Sequence, residues 1–148
     1  MAKLHAYLNF NGNCEEAFTF YRTVFGGPEL TAYRFKDLPE DPNVTLNDAD
    51  KDKIMHTSLK INDSVMLMGT DCVDSFGQKS QFGNSTYIML DTDTAEEARE
   101  LFTKLSVGAQ KLEMDLEATF FAELFSSFID RFGVAWMIHF EGNAKMNF

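Results

Sequence analysis

The sequence predicts an α+β fold made of two similarly ordered halves. Two candidate helix starts, Asn13 and Thr94, lie 81 residues apart, and the glycines that stop those helices, Gly27 and Gly108, lie 81 apart as well. Each helical stretch is flanked by short runs with strand-like alternation. After each helix comes another strand and then a hairpin, so the order strand, helix, strand, hairpin occurs twice. The halves repeat an architecture rather than letters. Module one covers about residues 1–72 and module two about 84–141, within a single domain over 1–148.

In the first half, residues 4–10 read as a strand that puts His5, Tyr7 and Asn9 on one face. Asn13 is the expected N-cap, with Glu16 at the position that reaches back to the cap amide. Ala17, Phe18, Tyr21, Val24 and Phe25 follow at helical spacing, Gly26 and Gly27 supply a left-handed stop, and Pro28 blocks continuation. Residues 29–35 form the second expected strand, with Thr31, Tyr33 and Phe35 on one face. Residues 37–52 are polar, contain Pro39 and Pro42, and read as a loop of the length used for lids and binding loops. Residues 54–61 and 64–68 read as a hairpin around Asn62 and Asp63. Met55, Thr57, Leu59 and Ile61 are the more apolar set and are expected against the helix, which turns His56, Ser58 and Lys60 the other way. Residues 71–83 read as a linker.

The second half starts with a strand over residues 85–90, where Tyr87 and Met89 share the face of Ser85. Thr94 to Glu97 is a capping box, Ala98, Leu101, Phe102 and Leu105 make the apolar stripe, and Gly108 ends the helix. A strand over 109–114 and a hairpin of 120–128 with 134–140 complete the half. Trp136 falls on the face opposite Met137 and His139 and is assigned to the core.

Composition excludes several function classes. A chain of 148 residues with 15 Phe and 8 Met has ample core material and buries roughly two-thirds of its unfolded surface. A net charge of -10 without a basic cluster argues against nucleic acid and anionic membranes. Cys14 and Cys72 follow no disulfide or metal spacing. The first residues lack a signal-peptide core, and no apolar run approaches the ~18 residues of a membrane span. The expected location is the cytoplasm. Cys14 lies in a helical first turn, where the dipole favours the thiolate, although apolar burial opposes it. No serine sits in a nucleophile elbow. No glycine-rich strand-to-helix turn is present to cradle a nucleotide-like cofactor, and no cofactor is expected.

Three segments, FNGNCEEAFTFYRTVFGG (residues 10–27), KIMHTSLKIND (53–63) and DRFGVAWMI (130–138), resemble the PhnB-like branch of the vicinal oxygen chelate superfamily, which includes glyoxalases, extradiol dioxygenases and bleomycin-resistance proteins. The resemblance runs in order over nearly the whole chain. It implies paired βαβββ modules, curved, cup-like mixed sheets with helices on the outer face, a cavity inside the cup, and a homodimer. Members of this branch are often labelled demethylubiquinone methyltransferases, a label the missing glycine-rich turn does not support.

Metal enzymes of that superfamily hold one divalent ion with His and Glu side chains from strands of both modules. By the resemblance His5 matches the first-strand ligand, but the other positions fall on Met66 or Met68, on Ser85 and on Met137. Thioethers are poor partners for hard divalent ions, so no metal is expected. Sliding the last strand by two residues brings in His139, and His5, His56 and His139 would then make a three-histidine site for a divalent-metal-dependent lyase, isomerase or dioxygenase. The preferred expectation is a metal-free binding or sequestering protein for a small hydrophobic or aromatic molecule, working as a homodimer. Its ligand contacts would be His5, Tyr7, His56, Ser58, Met66, Met68, Tyr87, Met137 and His139, soft side chains with a few polar handles.

Overall fold

The computed structural model describes residues 1–27 and 30–144. The expected helix-blocking Pro28 and the start of the second strand at Glu29 lie outside the described residues. The chain divides into two compact units, Met1–Gln81 and Phe82–Phe148. The first contains β1 (Ala6–Phe10), α1 (Cys14–Phe25), β2 (Thr31–Arg34), β3 (Ile54–Lys60) and β4 (Met66–Asp71). The second contains β5 (Ile88–Asp91), α2 (Ala95–Leu105), β6 (Lys111–Glu117), β7 (Leu124–Ile129) and β8 (Ala135–Phe140).

Each unit forms one open, curved, four-stranded mixed sheet. The orders are β1-β4-β3-β2 and β5-β8-β7-β6. In both, the first and last strands run parallel and the other pairs are antiparallel. The repeat of architecture expected from the two caps and stops is therefore present strand for strand, and the fold is α+β.

The core of each unit lies between its helix and one face of its sheet. In the first, α1 packs on β3 and β4, and Phe18 meets Phe10 and Tyr21 edge to face. Gly69 makes this approach possible: a Cβ there would stand 2.5 Å from a ring carbon of Phe18. In the second unit Phe102 of α2 meets Phe128 of β7 edge to face. Trp136 is buried in that layer as expected, and its indole N–H donates to the buried Asp130 at 2.8 Å.

Several expected elements differ in detail. The Asn13 side chain does not cap α1. The cap comes from Asp71, whose Oδ1 accepts the N–H groups of Gly12 and Cys14 at 2.9 and 3.0 Å. A long-range carboxylate at the end of a neighbouring strand thus replaces a local asparagine. At α2 the expected cap holds: Thr94 Oγ1 accepts the Glu97 N–H at 3.1 Å. Asp71 belongs to β4 rather than to a linker, since that strand runs three residues further than the apolar pattern suggests. Among the described residues, no helix is long and apolar enough to cross a membrane.

The side-chain alternation of β3 needs a correction. Tyr33 pairs with His56 but Arg34 pairs with Ile54, so Met55 is an extra residue in a bulge. The bulge puts Met55 and His56 on the same side and turns Ile54 inward with Thr57 and Leu59. Met55 therefore leaves the helix-facing set to which strict alternation assigned it.

Candidate functional site

The first sheet has one face against α1, marked by Gly69, and an opposite face free of the helix. Pairing sets Tyr7 beside Met68, with Ser58 on the other flank of Met68, and Asn9 beside Thr70. Met66, across from Lys60, continues the same row. The bulge adds His56 and Met55. The Tyr7 hydroxyl and His56 Nδ1 are 3.3 Å apart, with their rings 5.8 Å between centres. Burial is the main cause that raises the Tyr7 phenol above its ordinary pKa.

At one end of this face lies an open cavity of ≈ 720 Å³. Its sheet side consists of Tyr7, Asn9, Met55, Thr70 and Cys72, and its walls come from Phe35 and Leu38 and from the segment that carries Phe76, Gly77, Gln78 and Lys79. The Phe35 and Phe76 rings are 5.5 Å apart. Buried Asp50 fixes the Phe76 wall by accepting the N–H and hydroxyl of Ser75 at 3.1 and 2.6 Å. These bonds, the hydroxyl's first, hold the Asp50 carboxyl below its usual range. Asn11 grips Ser80 in both directions, at 2.9 and 2.7 Å, and the Ser80 hydroxyl donates to the Asn9 carbonyl at 2.9 Å. The stretch expected to be a linker is thus a tethered wall.

Both thiols are shifted upward, first by burial and then by the Asp71 carboxylate. Cys14 is also fully buried, which leaves its thiol inaccessible in the folded chain and argues against the reactive-thiolate alternative.

His5 stands one residue before β1, and its Nδ1 accepts the Met66 N–H at 2.9 Å. A neutral imidazole that accepts at Nδ1 carries its proton at Nε2 and presents no lone pair to an ion. With thioethers at Met66 and Met68, the first unit's donor set does not fit a hard divalent metal. Among the described residues, no three His, Cys, Asp or Glu side chains form a group able to hold a metal ion.

In the second unit, Met137 of β8 lies between Met89 and Ser127 on the face away from the buried Trp136. Tyr87 stands just before β5, and its hydroxyl donates to the Glu113 carboxylate at 2.7 Å, which also accepts the Ser127 hydroxyl at 2.9 Å. These bonds, the tyrosine's first, lower the Glu113 pKa, and the same carboxylate raises that of Tyr87. His139 is buried, with Nδ1 2.8 Å from Asp91 and its ring stacked on Phe121.

Of the residues read from the sequence, the cavity includes Tyr7, and His56, Ser58, Met66 and Met68 share its sheet face. Leu38, Phe76, Gln78 and Lys79 were missed because no periodicity marks a loop wall, and Phe35 because alternation assigns it to the β2 face, whereas β2 ends at Arg34 and Phe35 opens a 3-10 turn. Glu113 carried no distinguishing signal, since it alternates with Asp115 and Glu117 along β6 as on a solvated strand face.

Residues 2–139 match a family model described as 3-demethylubiquinone-9 3-methyltransferase. The structure is similar to that of protein PA1353 from Pseudomonas aeruginosa, with 39% identity over 95% of this chain and 98% of that one and a TM-score of 0.81. A putative 3-demethylubiquinone-9 3-methyltransferase, PhnB protein, from Bacillus cereus shares 22% identity over 94% and 99% of the chains, with a TM-score of 0.68. A glyoxalase/bleomycin resistance protein from Albidiferax ferrireducens T118 has the same fold at 12% identity, 92% and 95% coverage, and a TM-score of 0.59. The chain belongs to the PhnB-like family described as 3-demethylubiquinone-9 3-methyltransferase, and it has the fold of the glyoxalase/bleomycin resistance proteins.

Proposed function

We propose that the chain is a metal-free binding or sequestering protein for a small hydrophobic or aromatic molecule held in the cavity of the first unit. The observation that carries this reading is the make-up of that hollow. Tyr7, Phe35 and Phe76 rings and the Met55 thioether surround a space of ≈ 720 Å³ with a few polar groups between them. Small-molecule sites have this size and mixture, and soft, flat side chains adapt to aromatic ligands. Ser58, Met66 and Met68 extend the contact surface along the sheet, and His56 orients the Tyr7 hydroxyl. The tautomer of His5 supports a site that works without a metal. On the second unit's own sheet this reading gives contact surface to Tyr87 and Met137, while His139 is buried there beside Asp91.

A methyl transfer of the sort named in the family description fits this cavity less well. A cationic sulfonium donor would meet Lys79 and no carboxylate among the lining residues. The protein acts as a homodimer in this reading. Exposed Met89, Leu112 and Phe120 offer apolar surface to bury, and sedimentation should give twice the 16.8 kDa chain mass.

The test combines elemental analysis of the purified protein with a titration by 8-anilino-1-naphthalenesulfonate after dialysis against a chelator. The expected result is no stoichiometric divalent ion and saturable probe binding that the chelator does not change. A stoichiometric ion that disappears in His5→Ala, or probe binding that requires an added ion, would establish the divalent-metal lyase, isomerase or dioxygenase reading instead.

A further inference from the structure

The charge of the cavity runs against that of the chain. Acidic residues outnumber basic ones 23 to 13, for a net charge of -10, yet no Asp or Glu lines the hollow and Lys79 does. Lys36, Lys51, Lys53, Lys60 and Lys104 each hold a carboxylate. Among the described residues Lys3, Lys79 and Lys111 hold none, and of these three Lys79 lines the cavity. Its backbone is fixed next to the doubly gripped Ser80, so the ammonium is presented from a tethered wall. Gln78 and Asn9 add amide groups to the same lining, and Phe35, Phe76 and Met55 supply apolar surface.

We infer that the ligand is an aromatic anion, with its ring system against Phe35, Phe76 and Met55 and a carboxylate or comparable anionic group at Lys79. This rests on the reading of the cavity as a ligand site and adds a head group to it. A neutral aromatic of equal size fills the apolar part but leaves the ammonium without a counter-ion. Since Lys79 is exposed, the preference is modest, about fivefold in affinity at low salt.

Two probes with the same aromatic frame separate the terms: 8-anilino-1-naphthalenesulfonate, which is anionic, and N-phenyl-1-naphthylamine, which is neutral. Each is titrated into the full chain and into Lys79→Gln, Lys79→Arg and Phe76→Asp, with folding of every variant checked by circular dichroism. The anionic probe should bind about fivefold more tightly than the neutral one. Lys79→Gln should remove that advantage and leave the neutral probe unchanged, Lys79→Arg should keep it, and Phe76→Asp should weaken both. Equal binding of the two probes with no effect of Lys79→Gln, while Phe76→Asp still weakens both, overturns the head-group inference and leaves the cavity reading standing. Failure of both probes to bind, or indifference of both to Phe76→Asp, overturns the cavity reading itself.

Discussion

Asp71, at the last position of β4, accepts the backbone N–H of Cys14, at the first position of α1, across 3.0 Å. The same carboxylate takes the Gly12 N–H, and its other oxygen takes the Ile54 N–H at 2.9 Å. It therefore ties the helix start, the bulged strand and the strand that carries Thr70 toward the cavity. Asp71→Ala would leave these donors without their acceptor in a site where Asp71 is 1% exposed. The expected cost is about 3 kcal/mol, read as a shift of the urea midpoint. Asn13→Ala should cost far less, because its side chain makes no cap bond.

Glu113 predicts an acid-side loss of stability. Its folded pKa lies below the unfolded value, chiefly through the Tyr87 hydrogen bond. A lowered carboxylate contributes fully above its unfolded pKa of about 4.3, and the contribution disappears as pH falls through the folded value. The stability difference between the native chain and Glu113→Gln should be flat from about pH 6 to 9 and shrink below about pH 4. Tyr87, with its raised pKa, gives the opposite limb, lost as pH climbs past about 10. Denaturant midpoints against pH for the two proteins and for Tyr87→Phe check both signs.

The thiols give a direct report on the cavity. Cys14 is buried and Cys72 is partly exposed on the lining. A disulfide reagent should label Cys72 alone in the native protein. The rate should be slow near neutrality and rise with pH, since burial and Asp71 lift the Cys72 thiol. A saturating amount of 8-anilino-1-naphthalenesulfonate should slow the labelling. Mass spectrometry of Cys72→Ser, which should take up no label until unfolded, identifies the site.

The two helices, the glycine stop of α1 and the hairpins were legible because each is written in local spacing, and Trp136 could be assigned to the core by parity alone; α2 instead stops at a Ser106 cap, two residues before the expected Gly108. Local rules failed where a distant group took over. Asp71 displaced Asn13 as the cap of α1, and a single inserted residue in β3 moved Met55 from the helix side to the cavity side. His5 stood out as a candidate ligand through the family resemblance, but the Met66 N–H that fixes its tautomer is 61 residues away in the chain. The walls of the cavity were illegible for another reason. Phe76 and Lys79 are placed by side-chain tethers next to them, Asp50 to Ser75 and Asn11 to Ser80, that have no sequence period, and Phe35 by its N–H bond to the Lys53 carbonyl just past β2.

The most direct measurement is the ε-methyl resonance of Met55 in chelator-treated protein during titration with 8-anilino-1-naphthalenesulfonate. Ring-current shifts at Met55 that saturate with the probe, with Met1 unmoved, are predicted by a metal-independent hollow walled by Tyr7, Phe35 and Phe76. A Met55 signal that stays fixed until a divalent cation is added would contradict it.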